Sequence, residues 1–416
     1  MNRFNQLFHY LDKTFQLTGH LRRLRDSRVD PTVPTAAVSR TLFLGAALRV
    51  GSLLQLESES RRPGWQKAIG YAGVVSDDVL AYTLERYQLE DLRQGIAAVN
   101  KQLKRNKALE AAKIDGLLAV SIDGNEQFKS RNRCCDQCSV RRVTVKTSAG
   151  EKEEEEFYHR QVYAHIQGPN LSLILDVEPI GRGEEEAQAA VRLLGRLRRL
   201  YGPRFFDVVS ADAWFLKGPF IQAVKKLGWS VVVVLKQERF ELYKESNALA
   251  SKQPSQSFAH ARRHIELRQV TDLNFSQVQG TVRVVTAQEH WQQNRRRGHQ
   301  TTVQKMETHW RWVADEGLDG YSAKTIWAIG HGRWGIENHA FNELTQHYHL
   351  THCAHHHPTA ILAHLLFLVW AFNCFEAFCR LNGKLLRLGK ATLQEICRQL
   401  DRALERWEEV APLWSG

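Results

Sequence analysis

Long apolar runs are missing from this sequence. The greasiest stretch, Ile361 to Phe375, is about 15 residues and carries His364 and Asn373, whereas a membrane span needs about 20 apolar residues. A buried helix is expected there, and no membrane association. Cysteine is scarce as well: the seven are thinly spread apart from Cys134, Cys135 and Cys138. That number and spacing exclude a disulfide framework and lead us to expect a reducing compartment, the cytoplasm. Met1 to Tyr10 has one arginine but no apolar core and no small-residue cleavage site, so no secretory signal is expected. Acidic side chains are the minority charge, 45 against 57 lysines and arginines, for a net charge of +12 and a pI near 9.4. Such a surplus suits a polyanionic partner or an anionic surface. Core-forming residues are plentiful: 43% of the 416 residues are hydrophobic and 25% charged, which excludes a disordered or fibrous chain and predicts two or three domains. No internal repeat is present.

Patterning divides the chain into four parts. Residues 1–115 read as helical, with apolar spacings of three and four in Val38 to Leu54 and Leu80 to Leu109 and N-cap chemistry at Ser76-Asp77-Asp78. Trp65 to Tyr71, Gly73 and the helix after Ser76 have the form of a helix-turn-helix, a common DNA-reading unit. Asp77 and Asp78 have the wrong sign for a phosphate backbone, however, and a helical hairpin in a core has the same pattern. In residues 116–235 the apolar run from Leu117 to Ile122 reads as a buried strand, and further strands are expected at Tyr158 to Ile166 and Leu171 to Val177. A helix over Glu184 to Leu200, a strand over Asp207 to Ala211, a helix over Leu216 to Leu227 and a strand over Ser230 to Leu235 follow. This order predicts an α/β fold, a mixed sheet with helices on its faces. Residues 236–314 alternate as a mainly β insertion, in which Arg295, Arg296 and Arg297 are either a solvated loop or a phosphate-contacting patch. Residues 315–416 are helical again through Ala323 to His347, Thr359 to Arg380 and Ala391 to Glu409.

Three carboxylates stand out by position. Asp123 follows the first strand, Asp212 follows the strand Asp207 to Ala211, and Glu337 lies in the helix after the insertion. Strand ends in such sheets expose side chains to a crevice. Two aspartates on neighbouring strand ends with a glutamate on a helix packed across them would make an oxygen-only set for two Mg2+ ions, the arrangement that cuts phosphodiesters. Asp207 competes with Asp212 but starts its strand, so it should lie at the opposite edge. Glu343 competes with Glu337 but, six residues further along a regular helix, points elsewhere.

The surrounding residues are Ser121-Ile122-Asp123-Gly124-Asn125, Val208-Val209-Ser210-Ala211-Asp212-Ala213 and Arg333-Trp334-Gly335-Ile336-Glu337-Asn338-His339-Ala340-Phe341-Asn342-Glu343-Leu344. Together they resemble the catalytic core of DDE insertion-sequence transposases, over roughly residues 117–380. The resemblance implies an RNase H-like domain with a β insertion before the glutamate helix, metal ions on Asp123, Asp212 and Glu337, and a phosphate contact from Arg333. It also implies Mg2+, for which Mn2+ substitutes, and double-stranded DNA as partner, both the terminal inverted repeats and the target. A homodimer in the DNA complex, acting at the bacterial nucleoid, is expected. The family's tyrosine three residues before the arginine is Gly330 here, and its lysine seven after the glutamate is Leu344.

Other residues fill in this picture. Trp334 either stacks on an unpaired base or packs its helix onto the sheet. Lys129, Arg131, Arg133 and Lys236 are expected on the DNA path. Cys135 and Cys138 form a CxxC knuckle, and His159 or a residue of the His352-Cys353 and His355 to His357 cluster could complete a structural zinc set; otherwise that cluster is a polar turn before the helix near Thr359. The leading expectation is cut-and-paste transposition, with residues 1–115 reading the terminal repeats. A catalytically silent DNA-binding repressor and a non-transposing RNase H-like nuclease are the alternatives. The first has no need of three carboxylates, and the second has no need of the basic helical region.

Overall fold

The computed structural model describes residues 3–148, 150–169, 171–297, 300–382 and 393–406. Its elements in chain order are α1 (Arg3–Phe15), α2 (Leu17–Arg23), α3 (Thr35–Ala47), α4 (Leu53–Ser60), α5 (Pro63–Ile69), α6 (Asp77–Leu84) and α7 (Leu89–Arg105), then β1 (Ala119–Ser130), β2 (Ser139–Thr147), β3 (Gly150–Ile166) and β4 (Leu173–Pro179). They continue with α8 (Glu186–Tyr201), β5 (Val208–Ala211), α9 (Gly218–Lys226), β6 (Ser230–Val234), α10 (Glu241–Ala250), β7 (Gln256–His260), β8 (Arg263–Asn274), β9 (Thr281–Arg297) and β10 (Gln300–Asp315). Last come α11 (Ala323–Gly332), α12 (Asn342–His347), α13 (Pro358–Asn382) and α14 (Leu393–Glu405). Both ends of the helix expected over Ala391 to Glu409 fall outside the described residues. The fold is a mixed α/β fold, and two compact units divide it: Met1–Ala112 with Gly124–Ala189 and Ile336–Gly416, and Lys113–Asp123 with Ala190–Gly335.

The first unit is built on α13. By length and composition this 25-residue helix could cross a bilayer, but 94% of its most apolar window is buried, as in a core helix. It packs against α3, α7 and β4. The polar residue inside its apolar run fastens α13 to β4 and α7. Fully buried Asn373 accepts from the Ile174 amide at 3.0 Å and donates to the Ile174 carbonyl at 2.7 Å and to Asn100 at 3.1 Å. Gly95 is required on α7, because a Cβ there would lie 2.4 Å from the Trp370 ring. Ser76 caps α6 by accepting from the Val79 amide at 3.3 Å, with Asp77 and Asp78 in the first turn, where the helix dipole favours acids. The α5–α6 pair occurs as the sequence suggested, and α6 packs against α3, α4 and α13 in the manner of a core hairpin.

Four strands, not three, precede α8. The addition is β2, paired with a longer β3 from Ser139↔Tyr158 to Thr147↔Gly150. Charge helps to hold it: Arg141 donates to Glu126 at 2.7 Å and to Glu156 at 2.8 Å. Its apolar alternation is confined to Val143 and Val145 and its partner residues Glu151 to Glu156 are all charged, which is why apolar patterning misses it.

In the second unit, the first residues of β1 run parallel to β5 and β5 parallel to β6. Asp207 starts β5 by accepting from the Leu118 amide at 2.8 Å. The sheet continues antiparallel through β10, which pairs with β6 at Trp312↔Val234, and then β9, β8 and β7. The β insertion therefore extends the parallel strands. Both share one core with α11, formed by Val232, Val234, Ile265, Val285, Trp312, Ile326 and Ile329 among others. Ser322 caps α11 by accepting from the Thr325 amide at 3.2 Å. Glu289 on β9 is buried against α11, accepting from Arg263 at 2.8 Å and Trp327 at 2.9 Å with His331 Nε2 at 2.6 Å. Burial alone would raise its pKa, but His331, Trp327 and Arg263 hold it down to about 2.

Candidate active site

Strand register sets the two aspartates. β1 and β5 pair in parallel up to Ile122↔Ala211, so Asp123 and Asp212 are the next residues after that pairing; Asp212 follows the carboxyl end of β5, whereas Asp123, expected to follow its strand, lies within β1, which runs on to Ser130. Each is only partly exposed. Asp212 Oδ1 accepts from the Trp214 amide at 2.8 Å, which fixes that carboxylate at the start of a short 3-10 turn. Asp207, at the other end of β5, is tied to the Leu118 amide and is a strand-starting residue.

Arg333 ends α11 and reaches the same strand end. Its Nη1 donates to Asp123 Oδ2 at 2.9 Å, and the two side chains are 7% and 15% exposed. This is a mostly buried, charge-assisted contact, stronger than a surface pair. Only acidic oxygens are offered by Asp123 and Asp212, a donor set that suits a hard divalent cation and not a soft one.

Glu337 belongs to the first unit and lies on a π-helical turn, Ile336–Phe341. The regular helix expected over Ala323 to His347 is thus interrupted: α11 stops at Gly332, the π turn follows and α12 resumes at Asn342. The regular-helix spacing by which Glu343 is expected to point away from Glu337 does not apply across that break. π turns of this kind are rare and concentrate at functional sites. Ile336 and Phe341 are buried, Phe341 edge-on to Tyr163 at 4.9 Å, while Glu337 is exposed. Glu343 is engaged elsewhere, accepting from Arg49 at 2.6 Å.

The surroundings of both departures from the family pattern disfavour the family's residue, one sterically and one by desolvation. A Cβ on Gly330 would lie 2.2 Å from Trp312 Nε1, so the Trp312 indole fills the space that a side chain at this position would need. Leu344 is fully buried, where an ammonium would lose its hydration.

The remaining sequence-derived residues are scattered. Trp334 is half-buried with its ring edge-on to Trp310 at 4.8 Å, which is the packing alternative. Lys129, exposed, is 3.9 Å from buried Glu156, and Arg131 is 3.7 Å from Glu154 in a largely exposed pair of the kind that water weakens. Lys236 is exposed beyond β6, 5.8 Å from the Trp310 ring centroid. Arg295, Arg296 and Arg297 are strand residues of β9 and not a loop; Arg295 is exposed, and the other two side chains lie outside the described residues. One residue was not foreseen. Trp214, next but one to Asp212, is 63% exposed, with Lys217 Nζ 5.4 Å from its ring; its place beside a strand-end aspartate was the available signal. Of the His355 to His357 cluster, His356 joins Cys135, Cys138 and His159 in one group whose ligand atoms all lie within 4.8 Å of one another. His355 instead contacts Glu85 at 2.7 Å.

No curated protein matches this chain. Among solved structures it is similar to a piggyBac transposase in a synaptic complex with hairpin DNA, at 12% identity and a TM-score of 0.41 over 99% of this chain and 81% of that one. A family profile described as "Transposase DDE domain" matches residues 133–374, more than half of the chain, starting downstream of Asp123 and taking in Asp212 and Glu337. The chain therefore belongs to the DDE-domain transposases.

Proposed function

We propose that this transposase cuts the ends of a mobile DNA element and joins the freed 3'-hydroxyl to target DNA, a cut-and-paste reaction. Asp123, Asp212 and Glu337 are its metal-holding carboxylates. The observation that carries this reading is the parallel β1–β5 register, whose last pair, Ile122↔Ala211, is followed by an aspartate on both sides. Bound to these oxygens, Mg2+, or Mn2+ in its place, would activate a water or a 3'-hydroxyl and neutralise charge on the leaving oxygen. The chain's own groups supply the rest. Arg333 donates to Asp123 and offers a planar fork to the phosphate beside the scissile bond. The Trp214 ring stacks on a base near the cut, as aromatic platforms do on unpaired strands. Lys129, Arg131, Lys236, Arg295, Arg296 and Arg297 contact phosphates along the duplex. Residues 1–115 read the terminal inverted repeats, residues 116–235 and 315–416 form the catalytic core and residues 236–314 the β insertion. The active assembly is a homodimer on DNA, working in the cytoplasm at the nucleoid.

The test uses DNA flanking the gene, which carries matching inverted repeats if the element is intact. Labelled flanking DNA, incubated with the full chain and Mg2+, should yield 3'-hydroxyl ends and, with target DNA added, joined products. Tight, repeat-specific binding without cleavage in either metal would replace this reading with that of a silent repressor. Cleavage without joining would make the protein a nuclease.

A further inference from the structure

The first unit holds a second cluster of metal-ligating side chains, built without carboxylates. Cys135 and Cys138 lie on the loop between β1 and β2, His159 on β3, and His356 on the turn before α13. Cys135 Sγ is 3.6 Å from Cys138 Sγ and 3.3 Å from His159 Nε2. Cys138 Sγ is 3.2 Å from His159 Nε2 and 3.3 Å from His356 Nε2. We propose that these four residues bind a structural zinc ion, with His356 as the fourth ligand.

Zinc at about 2.3 Å from sulfur and about 2.0–2.1 Å from nitrogen, held tetrahedrally, puts two sulfurs about 3.8 Å apart and a sulfur and a nitrogen about 3.6 Å apart. The observed separations are within a few tenths of an ångström of those edges. Hydrogen bonding alone does not account for the cluster. A thiol has one proton, yet Cys138 Sγ faces a second sulfur and two imidazole nitrogens, and it also accepts from the Cys135 amide at 3.3 Å. A cation at the centre satisfies all four lone pairs at once. Two thiolates cancel a divalent charge, so the site is neutral and can sit where Cys138 and His159 are buried. Phe128 shields it, its ring 5.3 Å from that of His159 and 5.4 Å from that of His356. Two soft thiolates with two imidazoles select zinc over Mg2+, which prefers oxygen. Four protein ligands leave no open position, so the ion is structural. It ties the β1–β2 loop and β3 to a turn 218 residues further along the chain than Cys138. This site shares no ligand with Asp123, Asp212 and Glu337, so either assignment can fail without the other.

Metal content and spectra of the full chain test the proposal. Protein made in zinc-supplemented medium and desalted without chelator should retain one equivalent of zinc. Exchange for cobalt should give the intense visible bands of a tetrahedral site and a thiolate charge-transfer band. His356→Ala and Cys138→Ser should each lose the zinc during desalting, whereas His356→Cys, Cys353→Ala and Asp123→Ala keep it. Wild-type protein that holds no stoichiometric zinc after loading, or a cobalt form without thiolate bands, overturns the proposal whether or not any variant folds. A folded His356→Ala chain with full zinc and unchanged cobalt bands removes His356 from the site and overturns the four-ligand assignment.

Discussion

Replacing Arg333 by lysine keeps the positive charge beside Asp123 but removes the planar fork. The Nη1 to Oδ2 contact is 2.9 Å between side chains that are 7% and 15% exposed, so it is not one of the surface pairs that contribute little. One charge-assisted hydrogen bond contributes about 1.5–3 kcal/mol, and an ammonium recovers part of it, so the folding cost is about 1 kcal/mol. For a chain of 416 residues that is a fall in melting temperature of roughly 1 °C. Catalysis should lose more. If the guanidinium grips the phosphate with two bonds and lysine with one, losing about 1.5–3 kcal/mol in the transition state slows cleavage about ten- to a hundred-and-fifty-fold. Both quantities are measured on one preparation, by calorimetry and by single-turnover cleavage at saturating metal and DNA well below the melting temperature. Saturation keeps a change in metal affinity from posing as a change in rate. Cleavage within two-fold of wild type would refute the reasoning and leave Arg333 as a partner of Asp123 alone.

DNA binding should weaken steeply with salt: with six or more phosphates neutralised, the logarithm of the binding constant falls by about 0.9 per contact for each decade of salt, and a flat titration would detach the positive charge from DNA. Trp214→Ala should cost about 1–3 kcal/mol of binding to DNA ends with an unpaired base and little on intact duplex, a difference that fluorescence anisotropy reads; equal losses on both would count against stacking. Glu289→Gln should destabilise the chain by about 2–3 kcal/mol at pH 7, because its folded pKa lies below its ordinary value of 4.5. That stabilisation is present above about pH 4.5 and is lost as pH falls through about 2, so urea melts of variant and wild type should converge on acidification; a gap independent of pH would show that the charge is not what matters. Asp207→Ala should lower stability through the lost Leu118 amide contact and leave the cleavage rate per folded molecule unchanged.

Much of the active-site half of the account is legible in the sequence because it rests on local patterns. Apolar runs that stop at Asp123 and Asp212 mark where the β1–β5 pairing ends, although β1 itself continues to Ser130, and a strand-starting position separates Asp207 from them, in keeping with its hydrogen bond to Leu118. Glu343 is set apart by its contact with Arg49 and not by regular-helix spacing, which the π turn interrupts. The parts that were not legible depend on what the sequence encodes only through packing. The β2–β3 hairpin is held in part by cross-strand ion pairs, and its apolar alternation, Val143 and Val145 alone, is too short to reveal it. The π turn carrying Glu337 differs from a regular helix by a fraction of a residue per turn, too little for apolar spacing to register over six residues. The strand conformation of Arg295 to Arg297 comes from the long β9–β10 pairing, not from its own charged residues. Gly330 reads as a lost family residue until the Trp312 indole is found in the space above it. His356 was one of several histidines near Cys353, and only the folded chain singles it out.

The central claim is that Asp123, Asp212 and Glu337 serve the chemistry and not the grip on DNA. Its most direct test is to measure, on the same labelled element end, both binding and Mg2+-dependent cleavage by Asp123→Ala, Asp212→Ala and Glu337→Gln. Removing a carboxylate subtracts a metal ligand and no phosphate contact, so each variant should bind within a few-fold of wild type and cleave at least about a hundred-fold more slowly, a loss of about 2.7 kcal/mol or more. Any of the three that still cleaves at the wild-type rate contradicts the account at that residue, and three that fail to bind contradict it altogether.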